Sequence, residues 1–373
     1  MKSPILIVLF TSLVSLGSAQ DHSHQYGRKI VFPDLEDYKT LKCDLHIHTV
    51  FSDGNVWPTI RVEEALKDGL DAISLTEHIE YQPHKTDIPH PDRNRSFQIA
   101  KEFAKAYDLL IIHGCEITRR MPPGHANALF ITDANKINVS DSLEAYLEAN
   151  RQGAFVFWNH PNWSAQRKDG IAKLTDFHTY LIQNKLLHGI EVVNDITFSD
   201  AAIQIALDKN LTFIGNSDIH GLVDWQYQIP EGGHRPITLV FAKEKSDQAL
   251  KEALINRRTL AYYNDILVGE QQWITALAKN SLMLTDAFYI GDTDIAEITI
   301  ENKGDAPYIL RNLSGYNFYD RSDLVILKPH EQSKIKVLTK QQLNTFELRC
   351  EMLNGVTAPN KHASIVIPVE IKR

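Results

Sequence analysis

Two histidines two residues apart, His46 and His48, close an apolar run, and Asp53 follows inside Ser52-Asp53-Gly54. Side chains alternate along a strand, so both imidazoles share one face. Ser-Asp-Gly marks a turn that returns a carboxylate toward them. Neutral imidazoles and a carboxylate aimed at one point make a divalent-metal site. His22-Ser23-His24 spells the same His-x-His in a polar terminal stretch with no strand around it, and reads as solvated tail.

The same residue types recur where other strands should end. Thr76-Glu77-His78 closes a second run and Gly114-Cys115-Glu116 a third, with His125 following in Gly124-His125-Ala126. Asn159-His160-Pro161 closes Phe155–Trp158, and Asn216-Ser217-Asp218-Ile219-His220 closes another run, with Asp218 and His220 again at same-face spacing. A chance origin would scatter such residues. In a parallel α/β barrel the C-terminal strand ends meet at one mouth, where functional groups collect.

The elements needed to position them are legible. Strand-like runs fall at 70–76, 109–112, 154–158, 189–193, 211–215 and 237–241, with helical stretches at 58–69, 97–107, 142–151 and 200–209 between them. Pro58 suits a helix start and Gly69 its end. Repeated strand–helix units predict a parallel sheet closed into a barrel over residues 38–270. Beyond that, period-two alternation at 296–301, 333–338, 346–350 and 364–369 predicts a small antiparallel β-sandwich over 271–373. Asn302-Lys303-Gly304-Asp305 and Asn354-Gly355 read as turns between its strands. It carries no catalytic constellation. Packing, oligomerisation, or binding of a partner or glycan are open roles for it.

The chain has 373 residues, 43% of them hydrophobic, a formal net charge of −8 and a pI near 6.1. That balance argues against long nucleic acid as a partner. Residues 1–20 join Lys2, an apolar stretch from Ile5 to Leu16 and the small residues Gly17-Ser18-Ala19, as a secretory signal peptide does. Residues 21–37 form an N-terminal segment before the barrel, and no membrane span is expected after cleavage, so the mature protein is expected in the periplasm or outside the cell. Cys43, Cys115 and Cys350 are too scattered for a disulfide framework. Strand alternation points Cys43 and Cys115 away from His46 and Glu116, as apolar packing residues.

As an ordered set, these motifs resemble the PHP (polymerase and histidinol phosphatase) superfamily over roughly residues 40–265. The resemblance implies a distorted (β/α)7 barrel with three divalent metal ions at the strand C-termini. Position by position, it implies nine ligands: His46, His48, Asp53, His78, Glu116, His125, His160, Asp218 and His220. Glu116 would bridge two ions, and His125 and His160 would complete the third site. Glu77 stands where many members have Asp and is expected to support ligands from behind.

Six neutral imidazoles and three carboxylates around three divalent ions leave a formal surplus of +3, which favours a phosphate ester attacked by a metal-activated water. Without a required thiolate, Zn²⁺, Mn²⁺ and Fe²⁺ all suit the set. Arg119, Arg120 and Asn159 are the expected substrate-binding residues, because guanidinium forks fit phosphate oxygens and Asn159 flanks His160. Tyr81–Arg95 reads as a lid. The expected function is an exported phosphoesterase acting on a small organic phosphate. Alternatives are a phosphodiesterase or nucleotide exonuclease, another metal-dependent hydrolase, or a non-catalytic metal or ligand binder.

Overall fold

The computed structural model describes residues 29–372. The expected signal peptide and residues 21–28 of the N-terminal segment, His22-Ser23-His24 among them, lie outside the described residues. Among the described residues no helix is long and apolar enough to cross a membrane.

Strands β1 (Lys39–Ile47), β2 (Ala72–Leu75) and β3 (Leu110–Ile117) run parallel in sequence order. After β3 comes β4 (Ala126–Leu129), then β5 (Phe155–Trp158), β6 (Gly189–Asn194), the short β7 (Thr197–Phe198) and β8 (Thr212–Asn216). β5, β6 and β8 are again parallel. Helices α1 (Pro58–Asp68), α2 (Arg95–Ala104), α3 (Ala134–Ile137), α4 (Ser142–Arg151), α5 (Asp176–Gln183), α6 (Asp200–Lys209), α7 (Val223–Gln226) and α8 (Asp247–Ile255) fall between and after these strands. α1 begins at Pro58, whose missing N–H costs nothing in a first turn, and stops at Gly69 in the left-handed region (φ 70°). Asp141 and Ser199 cap the N-termini of α4 and α6 by accepting from Glu144 N and Ala202 N.

The result is a distorted (β/α)7 barrel, and the distortion has two sources. β4 enters antiparallel between β3 and β5; its four residues were not expected as a strand, because Gly124-His125 looks like loop. β9 (Ile237–Ala242), expected in the parallel run, is antiparallel to β1 and continues antiparallel into β10 (Thr259–Tyr263) and β11 (Ile266–Gly269). β8 meets this side through side chains. Thr238 Oγ1 accepts from Gly215 N at 3.0 Å and donates to Gly215 O at 2.8 Å, and Asn216 Oδ1 accepts from Leu45 N at 2.8 Å.

After α9 (Gln271–Ser281) the chain forms an Ig-like all-β domain. One sheet has the order β12 (Leu282–Tyr289), β13 (Ile295–Asn302), β17 (Gln332–Leu338), β15 (Asn317–Phe318). The opposite sheet contains β16 (Leu324–Leu327), β14 (Tyr308–Asn312), β18 (Thr345–Ala358) and β19 (Lys361–Glu370). Asn354-Gly355 is not a turn. It lies within β18 at a register irregularity, where Gly355 pairs with Leu267 of β11 in parallel. The sheet of the barrel therefore runs on into the Ig-like domain, and one apolar cluster includes Leu260, Tyr262, Leu267 and Ile274 with Tyr308, Leu310, Met352 and Ile365. Cys43 and Cys115 pack in separate apolar clusters, and burial pushes both thiols well upward.

Candidate metal centre

His46 lies near the C-terminal end of β1, with His48 just past it. Beyond them, the Ser52-Asp53-Gly54 turn folds back so tightly that a Cβ on Gly54 would meet the His48 carbonyl carbon at 2.7 Å. Arg61, fully buried on α1, ties two arms of the site together. Its guanidinium donates to His48 O at 2.9 Å, Ile219 O at 3.1 Å, His220 O at 2.9 Å and Gly221 O at 2.7 Å, and pairs with Glu64 at 2.8 Å. His160 (φ 28°) and Asp218 (φ 51°) both occupy the left-handed region, which costs a non-glycine residue roughly 1–3 kcal/mol. Each is held there by its own N–H, donated to Glu191 Oε2 at 2.7 Å and His46 O at 2.9 Å respectively.

Hydrogen bonds behind the rings settle which nitrogens face inward. His46 Nδ1 lies 2.8 Å from Glu191 Oε1, which can only accept, so Nδ1 carries the proton. Ser52 gives its hydroxyl proton to Glu77 Oε2 at 2.5 Å and therefore accepts from His48 Nδ1 at 3.2 Å. Both Nε2 atoms thus aim into the centre, only 3.1 Å apart. Asp218 Oδ1 stands 3.1 and 3.0 Å from them, and Glu116 Oε2 3.5 and 3.4 Å. Facing lone pairs beside two carboxylates call for a cation.

The remaining residues extend this arrangement. Glu116 Oε2 is 2.8 Å from His78 Nδ1, and Oε1 is 2.8 Å from His125 Nδ1 and 3.6 Å from His160 Nε2. Asp53 meets His220 Nε2 at 3.2 Å and His78 Nε2 at 3.4 Å. Three groups of donors close enough to share an ion result: His48, Asp53, His78 and His220; His46, His48 and Glu116; and His78, Glu116 and His125. Asp53 Oδ1, Glu116 Oε2, Asp218 Oδ1 and the Nδ1 atoms of His125 and His160 are buried without a hydrogen-bond partner, a pattern that bound cations would relieve. All nine expected ligands therefore lie at one place, and their donor chemistry fits divalent ions.

Electrostatics point the same way. Burial disfavours a charged His46, but Asp218, Glu191 and Glu116 outweigh it and push its pKa well upward. Burial and the neighbouring His220 and His78 hold His48 down at about 3. Burial opposes ionisation of Asp53, Glu116 and Asp218, yet the surrounding histidines depress all three carboxyls.

The substrate residues fall differently from expectation. Asn159 is buried and braces Glu116, donating to its Oε1 at 3.0 Å and to Asn127 Oδ1 at 2.9 Å. Arg119 turns away from the centre to pair with Glu80 at 3.0 Å and to donate to Val139 O; burial raises Glu80 to about 7. Arg120 is exposed, and neither arginine lines the cavity. Glu77 stands where expected behind the ligands, accepting from Thr49 and Ser52. In the expected lid, His90 is buried and bonds to Phe51 O at 2.7 Å, which pins that segment.

Glu191 was missed. Its two oxygens take His46, Asn216 Nδ2 at 3.0 Å, the His160 N–H, and Asn194 Nδ2 at 2.8 Å. A glutamate inside the apolar run Gly189–Val193 was the available signal, since an ionised side chain is buried only where it is paired.

Comparison with known proteins agrees with this reading. The PHP domain family matches residues 44–219, and an Ig-like domain family, DUF5001, matches 282–368. A crystal structure from Bacteroides vulgatus, of a two-domain protein containing a predicted PHP-like metal-dependent phosphoesterase, is 42% identical. It covers 92% of this chain and 99% of its own, with a TM-score of 0.86. PsfC from Pseudomonas syringae aligns at 16% identity over 61% of this chain and 92% of its own, with a TM-score of 0.41. An uncharacterized protein of Methanocaldococcus jannaschii is 36% identical over 85 residues, 22% of this chain, so the chain spans 36% of that relative's length. On the agreement of sequence, fold and a relative matched along nearly its whole length, this chain belongs to the PHP domain family.

Proposed function

We propose that this protein is a metal-dependent phosphoesterase that hydrolyses a small organic phosphate ester. The observation that carries the reading is the convergence of the Nε2 atoms of His46 and His48, 3.1 Å apart, on Asp218 and Glu116. Three divalent ions, Zn²⁺, Mn²⁺ or Fe²⁺, are the proposed complement: one among Asp53, His78 and His220, one at His46, His48, Glu116 and Asp218, and one at Glu116, His125 and His160. Such ions polarise phosphoryl oxygens and lower the pKa of water.

The chain's own groups do the rest. Glu191 and the Ser52–Glu77 pair fix the tautomers of His46 and His48, so the inward nitrogens are ready without reorganisation. Asn159 and Asn127 hold Glu116 between the histidine groups. The leader read at residues 1–20 supports export, and the acidic composition supports a small substrate over a long nucleic acid.

The test is phosphate release from a panel of phosphomonoesters and diesters by metal-loaded protein. Monoester turnover that a chelator abolishes and Zn²⁺ or Mn²⁺ restores is the expected result. Turnover of diesters alone, or of no phosphoester, overturns the proposal.

A further inference from the structure

The metal centre forms the floor of a cavity of about 670 Å³. Its outer wall is built by Asn162 and Trp163 after β5, by Asn194, Asp195 and Thr197 around the β6–β7 turn, and by Gln226 of α7. Among the described residues no lysine or arginine lines it. The wall thus offers amides, a hydroxyl, a carboxylate and an indole, and no countercharge for a second anion.

Two of these residues are set in place for a ligand. Asp195 sits in the left-handed region (φ 50°), with Oδ1 anchored by Gln226 Nε2 at 2.7 Å and Tyr227 OH at 3.2 Å. Its Oδ2 makes no hydrogen bond with the described residues, so a held carboxylate oxygen remains as an acceptor. Trp163, 46% exposed, stands with its ring 5.2 Å from His160 and 5.6 Å from His125. An aromatic face suits the C–H face of a sugar ring, and a fixed carboxylate accepts from hydroxyls without losing rotamer freedom.

Resting on the phosphoesterase reading, we infer that the outer cavity is a leaving-group subsite for a sugar or polyol monophosphate. Asp195 accepts its hydroxyls, Trp163 covers its ring, and the wall disfavours substrates with a second anionic group. In the reaction, water adds to phosphorus, the bond from phosphorus to the sugar oxygen breaks, and that oxygen leaves with a proton from the water. Free sugar and inorganic phosphate are the products.

The experiment compares glucose 6-phosphate, fructose 1,6-bisphosphate and p-nitrophenyl phosphate with the metal-loaded full chain. Glucose 6-phosphate is expected to exceed the bisphosphate in kcat/KM by about tenfold. Asp195→Asn keeps a residue that tolerates left-handed backbone but weakens the acceptor. It should raise KM for glucose 6-phosphate about tenfold, as expected for one charge-assisted hydrogen bond, with a smaller change for p-nitrophenyl phosphate, which has no hydroxyl to donate, and a narrower gap to the bisphosphate. A readout without turnover is the change in tryptophan fluorescence when glucose is added beside inorganic phosphate, expected to vanish in Trp163→Ala. Preference for the bisphosphate, or an unaltered KM in Asp195→Asn, overturns the subsite. Hydrolysis of p-nitrophenyl phosphate with no sugar preference removes this inference alone; no turnover of any ester removes the phosphoesterase reading with it.

Discussion

Nδ1 of His46 donates to Glu191 Oε1 across 2.8 Å, so a buried carboxylate on β6 fixes the direction in which a β1 histidine offers its other nitrogen. Glu191→Gln preserves shape but replaces a charged acceptor with an amide that must also satisfy the His160 N–H and two asparagines. Metal affinity is expected to fall about 10–100-fold with the fold retained, measured by competition with a chromophoric chelator. Unchanged affinity would show that Glu191 does not orient His46.

Arg61 serves the backbone of both metal-bearing loops. Arg61→Lys cannot reach four carbonyls and Glu64 together, and it leaves buried oxygens unsatisfied. Urea denaturation should show a loss of about 3–5 kcal/mol, and a loss below about 1 kcal/mol would contradict the role given to it.

His178 is held neutral. Its Nε2 donates to Pro123 O across 2.6 Å and its Nδ1 accepts from the Thr175 N–H at 3.2 Å, a bond that a second proton on Nδ1 would break. Burial lowers its pKa from 6.5 to about 4. Between these values the unfolded chain binds the extra proton, so the contribution is complete above pH 6.5 and is lost as pH falls through about 4. The stability advantage of wild type over His178→Gln should shrink over that window by on the order of 3 kcal/mol. A constant difference in urea melts from pH 7 to pH 4 would refute it.

The Ig-like domain shares a sheet and an apolar cluster with the barrel. β18 pairs with β11, and Leu267 and Ile274 share an apolar cluster with Tyr308 and Met352. Removing residues 282–373 is therefore expected to give an aggregating chain, judged by solubility and gel filtration. A soluble, metal-binding barrel would show the shared sheet to be dispensable.

The legible parts of this molecule were those set by local chemistry. Pro58 and Gly69 bracket α1, and His or Asp at strand ends announced the centre. What escaped depends on distant partners. β4 is too short to show a period, and it exists because β3 and β5 flank it. Asn354-Gly355 has turn chemistry, but β11 recruits it into a strand. Arg119 looks suited to phosphate until Glu80 claims it, and Glu191 gains its meaning only from His46, 145 residues away.

The most direct measurement is anomalous diffraction at the Zn, Mn and Fe edges from crystals of the purified protein. The account predicts three metal peaks bounded by His46, His48, Asp53, His78, Glu116, His125, His160, Asp218 and His220. A fully metallated preparation whose metal lies elsewhere, or a centre that stays free of metal at saturating concentration, would contradict it.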